Sequence, residues 1–210
     1  AILKNATHIR KKIANTRYTY PNLITNSEVI QLNTGIDLQD ALEKAYSDDG
    51  VNQTTILCKS NKRANQYNQQ VRIKIRWQEN NISTGDKLMV VKNNYYWLED
   101  NSSVGFIANG DTIECLKITK FIERYGFKFA RASIKMIDYP KLEALDVILF
   151  LETLNSETPA ISHEQHQKLY SEVGLDYQGE KEINKKIKKN QFFNALQIKF
   201  AYAITDRKSV

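Results

Sequence analysis

The strongest constraint in this sequence is a change of texture at Gly85. Before it stands TTILC, Thr54 to Cys58, a continuous apolar run rich in β-branched residues. Such a run reads as a strand covered on both faces. Lys59 and Ser60 follow, and then apolar residues recur at helical spacing to about Trp77, with Ala64, Tyr67 or Asn68, Val71 and Ile75 on one side. This is a strand–turn–helix unit of an α/β sheet, with Ser60 placed to cap the helix. Ligands bind such sheets beyond the carboxyl ends of their strands. From Gly85 to about Leu151 the pattern is different. DKLMVVK, TIECLKI, FKFARASIKMIDY and ALDVILFLETL alternate with turns, and Asn109-Gly110 is a hairpin dipeptide. Short strands so closely spaced predict a small barrel.

The flanks complete an expected order. Ile2, Leu3, Ala6, Ile9 and Ile13 predict a helix over residues 1–14, ended by Pro21. EVIQL, residues 28–32, reads as a short strand, and Asp37 to Ser47 as a helix with acids in its first turn. Residues 162–189 return to helix, with Gly174 placed as a C-cap. The final apolar tract, QFFNALQIKFAYAIT, contains a strand of the buried type and ends at Thr205.

Composition narrows the classes. In 210 residues, 41% are hydrophobic and 26% charged, so a core of useful size forms. No apolar run approaches the ~18 residues of a membrane span, and the first residues have no secretory pattern. Cys58 and Cys115 each sit in an apolar run and read as buried free thiols of a cytoplasmic protein. His163 and His166 form H-x-x-H, but no Cys or third His stands near, too few ligands for tetrahedral zinc. The net charge of +6 favours an anionic partner. No nucleophile–base signature appears, and the acids Asp111, Glu114, Asp138 and Glu143 are scattered. No catalytic residue or metal site is therefore assigned.

Three tracts together resemble one family. TTILCKSNKRANQYNQQVR carries Asn61, Arg63, Asn65 and Asn68 on the helix that follows a strand. LQIKFAYAITDRKSV ends in Tyr202, Ala203, Ile204, Thr205, then Arg207, Lys208 and Ser209. GDKLMVVKNNYYWL to GFIANGD lies between them. In order and spacing these resemble the second RecA-like domain of RecD-like superfamily 1 DNA helicases, with the SH3-like barrel inserted in that domain. The family's terminal pattern, Y-A-I-T-x-H-K-S-Q-G, departs here at Arg207 and at Val210. The phosphate loop G-x-x-x-x-G-K-S/T does not occur in the 210 residues. The resemblance implies an α/β fold with this organisation: a leading helix and linker over 1–20, the RecA-like layer over 21–83 and again over 191–210, the barrel over 84–153 and helices over 154–190. It also implies that the chain is the carboxy-terminal part of a longer motor. ATP and Mg²⁺ would be bound only with the amino-terminal RecA-like motor domain, and this part alone would not hydrolyse ATP.

The implied ligand is single-stranded DNA. Thr205, Lys208 and Ser209 supply hydroxyls and a point charge just past a strand end, and Asn61 and Arg63 stand at the equivalent place after the earlier strand. A strand that must slide is gripped by few cations and short polar groups. Arg63 and Arg207 are the candidates for the ATP cleft. Tyr95 and Tyr96 could stack on bases, or belong to the barrel core. Simpler roles stand beside these: Asn61 as a cap, Arg63 as a solvated side chain, and Asn68 as a buried amide bonded to backbone. Lys181, Lys185, Lys186, Lys188 and Lys189 form a basic run that reads as a solvated face or a phosphate contact. The competing function is a stand-alone module that binds nucleic acid or protein without ATP; a degenerate gene product is the third.

Overall fold

The computed structural model describes residues 1–16, 19–98, 104–158 and 160–205. They form two compact units, Ala1–Asp48 and Asp49–Val210.

The first unit holds α1, Ile2–Ala14, and α2, Gly35–Asp48. Asn5 on α1 is buried and grips the loop: its amide donates to the Ile24 carbonyl at 3.0 Å and accepts from the Ile24 N–H at 2.8 Å. Thr34 and Asp37 cap α2 reciprocally, each side chain accepting from the other's backbone N–H at 3.1 Å. The strand expected at 28–32 is absent. A single antiparallel bridge joins Asn26 to Val29, and the Asn26 side chain accepts from Glu28 N and Val29 N. A local turn thus takes the backbone that a strand would have used.

The second unit opens with β1, Ile56–Cys58, and α3, Asn61–Gln70. Ser60 caps α3 by accepting from Arg63 N at 3.3 Å. The helix ends earlier than expected, in a π-helical turn over Val71–Ile75, and Trp77 beyond it has φ 54°. The strands β2 (Lys87–Val90), β3 (Thr112–Arg124), β4 (Phe127–Met136), β5 (Leu145–Phe150) and β6 (Leu196–Phe200) close into a barrel in that order. All its pairs are antiparallel except β5 with β6. Tyr125 and Gly126 join β3 to β4 with φ 56° and 70°, the paired positive values that suit strand twist in a two-residue hairpin. Register breaks at Leu116 and Thr119 bend β3 around the barrel.

Alternation along β4 and β5 explains how both faces are buried. Ala130, Ala132 and Ile134 pair across to Leu149, Val147 and Leu145 on one face. Phe127, Phe129, Ile148 and Phe150 take the other, where they pack with Leu169, Val173, Ile187 and Phe192. These last belong to α4 (His163–Leu175), α5 (Ile183–Lys188) and the approach to β6. The helical segment therefore covers the outer wall of the barrel. Ser162 and Gln165 form a capping box at the start of α4. Gly174, expected to end that helix, lies inside it, where a Cβ would stand 3.5 Å from Ile187 Cδ1.

Two expectations are corrected. Leu196–Phe200, expected in the returning α/β layer, instead closes the barrel between β2 and β5. Every residue of β6 is buried, a pattern shared by doubly covered barrel strands and doubly covered sheet strands. Only β7, Ala203–Thr205, returns to pair with β1. Conversely, β1 is not covered on both faces: Leu57 is 72% exposed in this two-stranded parallel sheet.

Candidate nucleic-acid interface

β1 and β7 run parallel with Ile56 opposite Ala203, Leu57 opposite Ile204 and Cys58 opposite Thr205. Their carboxyl ends therefore share one edge, and α3 starts from it. There the Thr205 hydroxyl donates to Asn61 Oδ1 at 2.9 Å. Residues 144 apart in sequence become hydrogen-bonded neighbours.

Asn61 does not cap α3; Ser60 does. Instead one Asn61 amide hydrogen goes to the Glu157 carbonyl at 3.0 Å. Four residues on, Asn65 donates to the carbonyls of Asn155 and Ser156, and four further on, Gln69 donates to Asn155 Oδ1 at 2.7 Å. This i, i+4, i+8 stripe fastens the loop after β5 along α3. The neighbouring stripe is buried. Asn68 donates to the Phe200 and Ala203 carbonyls at 3.1 and 2.9 Å, and accepts from Ala203 N at 2.7 Å. It holds the backbone where the chain leaves the barrel for β7, the role of a buried amide satisfied by backbone.

The cations of the edge are separate from this lattice. Lys59, Lys62 and Arg63 are exposed, and the Arg63 guanidinium has no hydrogen bond or ion pair among the described residues. Its charge works against burial, which raises the Cys58 thiol above its ordinary value. Asn61 and Thr205 thus build the frame of the edge, and Arg63 with its lysine neighbours supplies free positive charge. Arg207, Lys208 and Ser209 lie outside the described residues.

Arg72, Asp86 and Tyr202 are buried together at 2%, 0% and 0% exposure. Asp86 accepts from Arg72 Nε and Nη2 at 3.0 and 3.1 Å, from Ser83 N at 2.7 Å and from the Tyr202 hydroxyl at 2.8 Å. Arg72 also lies over the Phe200 ring, 4.3 Å from its centre. Burial and the Asp86 charge push the Tyr202 hydroxyl well above its ordinary range. Asp86 heads the barrel, Tyr202 precedes β7 and Arg72 follows α3, so the triad joins the three parts. Its only sequence signal is three polar residues within apolar tracts.

Tyr95 and Tyr96 lie elsewhere, in the loop after β2. Tyr95 is 70% exposed and stacks on Phe106, with ring centres 4.8 Å apart. Tyr96 meets Trp97 edge-on. In the basic run, Lys185 pairs with Glu182 and Lys186 with Glu180.

The glycine pairs Gly105–Gly110 and Gly174–Gly179 have the spacing of a phosphate loop. Asp111 and Glu180 follow them where Lys is needed, and neither pair joins a strand to a helix. Among the described residues no group of three or more His, Cys, Asp or Glu side chains converges as a metal site, and no helix is long and apolar enough to cross a membrane. Both cysteines are free. No protein-family model matches the chain, and no curated protein matches it.

Proposed function

We propose that the chain is the strand-gripping part of a DNA motor, the second RecA-like domain of a RecD-like helicase. Single-stranded DNA lies along the edge at the carboxyl ends of β1 and β7. The observation that carries this reading is the parallel pairing of β1 with β7, which brings Asn61 and Thr205 within 2.9 Å beside the exposed Arg63. An edge of that kind offers few cations on a hydrogen-bonded frame, which suits a strand that must bind and slide. In this reading Lys208 and Ser209 also contact the strand, and Arg63 and Arg207 serve the ATP cleft. ATP and Mg²⁺ are bound together with an amino-terminal RecA-like domain that carries the phosphate loop. The setting is cytoplasmic.

Anisotropy of a labelled oligothymidylate tests this reading. Binding should weaken steeply with salt, at a slope of about −0.7 per phosphate neutralised. Arg63→Ala and Lys208→Ala should each flatten that slope, and the chain alone should show no ATP turnover. Unchanged salt dependence in both variants, or ATP hydrolysis by the isolated chain, would remove the motor reading. A second reading, a binding module independent of ATP, draws on the barrel, whose outer wall shares an apolar core with α4 and α5. It predicts that DNA affinity ignores both edge variants.

A further inference from the structure

A cleft of about 250 Å³ opens between the loop after β2, α4, the end of α5 and the start of β6. Its lining includes neither Asn61, Arg63 nor Thr205. Three basic side chains line it, Lys92, His166 and Lys188, and no carboxylate does among the described residues. Burial, with the charges of Lys92 and His163, holds the His166 imidazole below its ordinary value. Neither Lys92 nor Lys188 has an ion-pair partner among the described residues, unlike Lys185 and Lys186 on the same helix. The cleft also has aromatic walls. Tyr96 and Phe193 line it, and His166 lies 5.3 Å from Phe193, ring centre to ring centre.

The walls are braced. Asn94 Nδ2 and Trp97 Nε1 both donate to the Asn194 carbonyl at 2.8 Å, and Asn194 donates in turn to the Lys188 and Asn190 carbonyls. A cleft so held does not need to be ordered when a ligand arrives. Cations with no carboxylate beside them among the described residues, next to flat rings in a space this small, match a phosphate joined to a planar base.

We infer that this cleft is a binding site for one nucleotide unit, its phosphate taken by Lys92, Lys188 and His166 and its base laid against Tyr96 and Phe193. The inference deepens the reading of the chain as a single-strand binder and rests on it for the source of the nucleotide. Tyr95, backed by Phe106 and open on its other side, would receive the neighbouring base of a strand.

The test is a titration of the ¹⁵N-labelled chain with thymidine monophosphate, with inorganic phosphate and with an oligothymidylate. Thymidine monophosphate should shift the amides of residues 92–96 and 193–195. The double variant Lys92→Ala, Lys188→Ala, both exposed positions, should weaken its binding about tenfold and lower the salt slope for the oligothymidylate by about 0.7, the share of one phosphate. Tyr96→Ala should weaken binding of the monophosphate but not of inorganic phosphate. Arg63→Ala should leave the monophosphate-induced shifts of residues 92–96 and 193–195 in place, so that loss of the edge and loss of the cleft are read separately. Shifts with the oligothymidylate and none with the monophosphate assign the site to a strand; shifts with both admit a free nucleotide. Unchanged affinity for every probe in the double variant overturns the proposal, whatever becomes of the edge.

Discussion

Among single residues, Asp86 carries the most. Four hydrogen bonds converge on it in a fully buried position, and two come from a guanidinium that is itself buried. Asp86→Ala strands Arg72 without a counter-charge, a change that costs about 3–5 kcal/mol. Urea unfolding should show that loss, and a destabilisation below ~1 kcal/mol would mean that Arg72 finds another partner. Thiol chemistry gives an independent check. Burial, with Asp86 and Glu114 nearby, pushes the Cys115 thiol up to about 11, so at pH 8 it stays protonated. Only the thiolate is nucleophilic. Iodoacetamide should leave Cys115 unmodified in the native chain and modify it on unfolding, and rapid native labelling of Cys115 would contradict its place in the barrel wall.

For the elements, caps and stripes decide where each one begins and what it touches. Ser60→Ala removes the one side-chain cap of α3 and should cost about 1 kcal/mol. Because α3 presents Asn61 to Thr205, the same change should weaken oligothymidylate binding modestly; a stability loss with unchanged binding would show that the helix start does not set the edge. The sequence made much of this layer legible. The strand at Cys58, the cap at Ser60, the four middle strands and the buried amide of Asn68 all follow from period and residue type. That the tracts around Cys58 and Thr205 meet was implied only by the resemblance to the helicase family, not by any local period. What stayed hidden has physical causes. Leu196–Phe200 is apolar or stem-buried at every position, and such a strand does not declare which sheet it joins. Asn61, Asn65 and Gln69 stand at helical spacing, yet nothing local shows that loop 155–157 would be their partner. The aromatic-lined cleft joins residues from four separate segments, and its cations lie nearly a hundred positions apart.

The larger unit behaves as one body on these contacts. Ala201 N donates to the Lys87 carbonyl on the barrel side, and Ile56 N to the Tyr202 carbonyl on the α/β side, both at 2.9 Å. Two adjacent residues thus anchor both substructures, with Asn68 and the Arg72–Asp86–Tyr202 cluster around them. Native-state hydrogen exchange should therefore give the Ala201 and Ile56 amides similar opening free energies, close to that of global unfolding. Opening of Ile56 several kcal/mol more easily than Ala201 would separate the two as independent folding units.

Between the last residue of β6 and the first of β7 there are only Ala201 and Tyr202, both buried. A joint of that kind has no slack. Torque applied at the far rim of the barrel reaches Thr205 through a continuous, braced backbone, much as a wrench handle turns its jaw. A load on the barrel is therefore passed by two buried residues to the edge where Asn61 and Thr205 meet, so the joint is where a partner on the barrel would act on that edge.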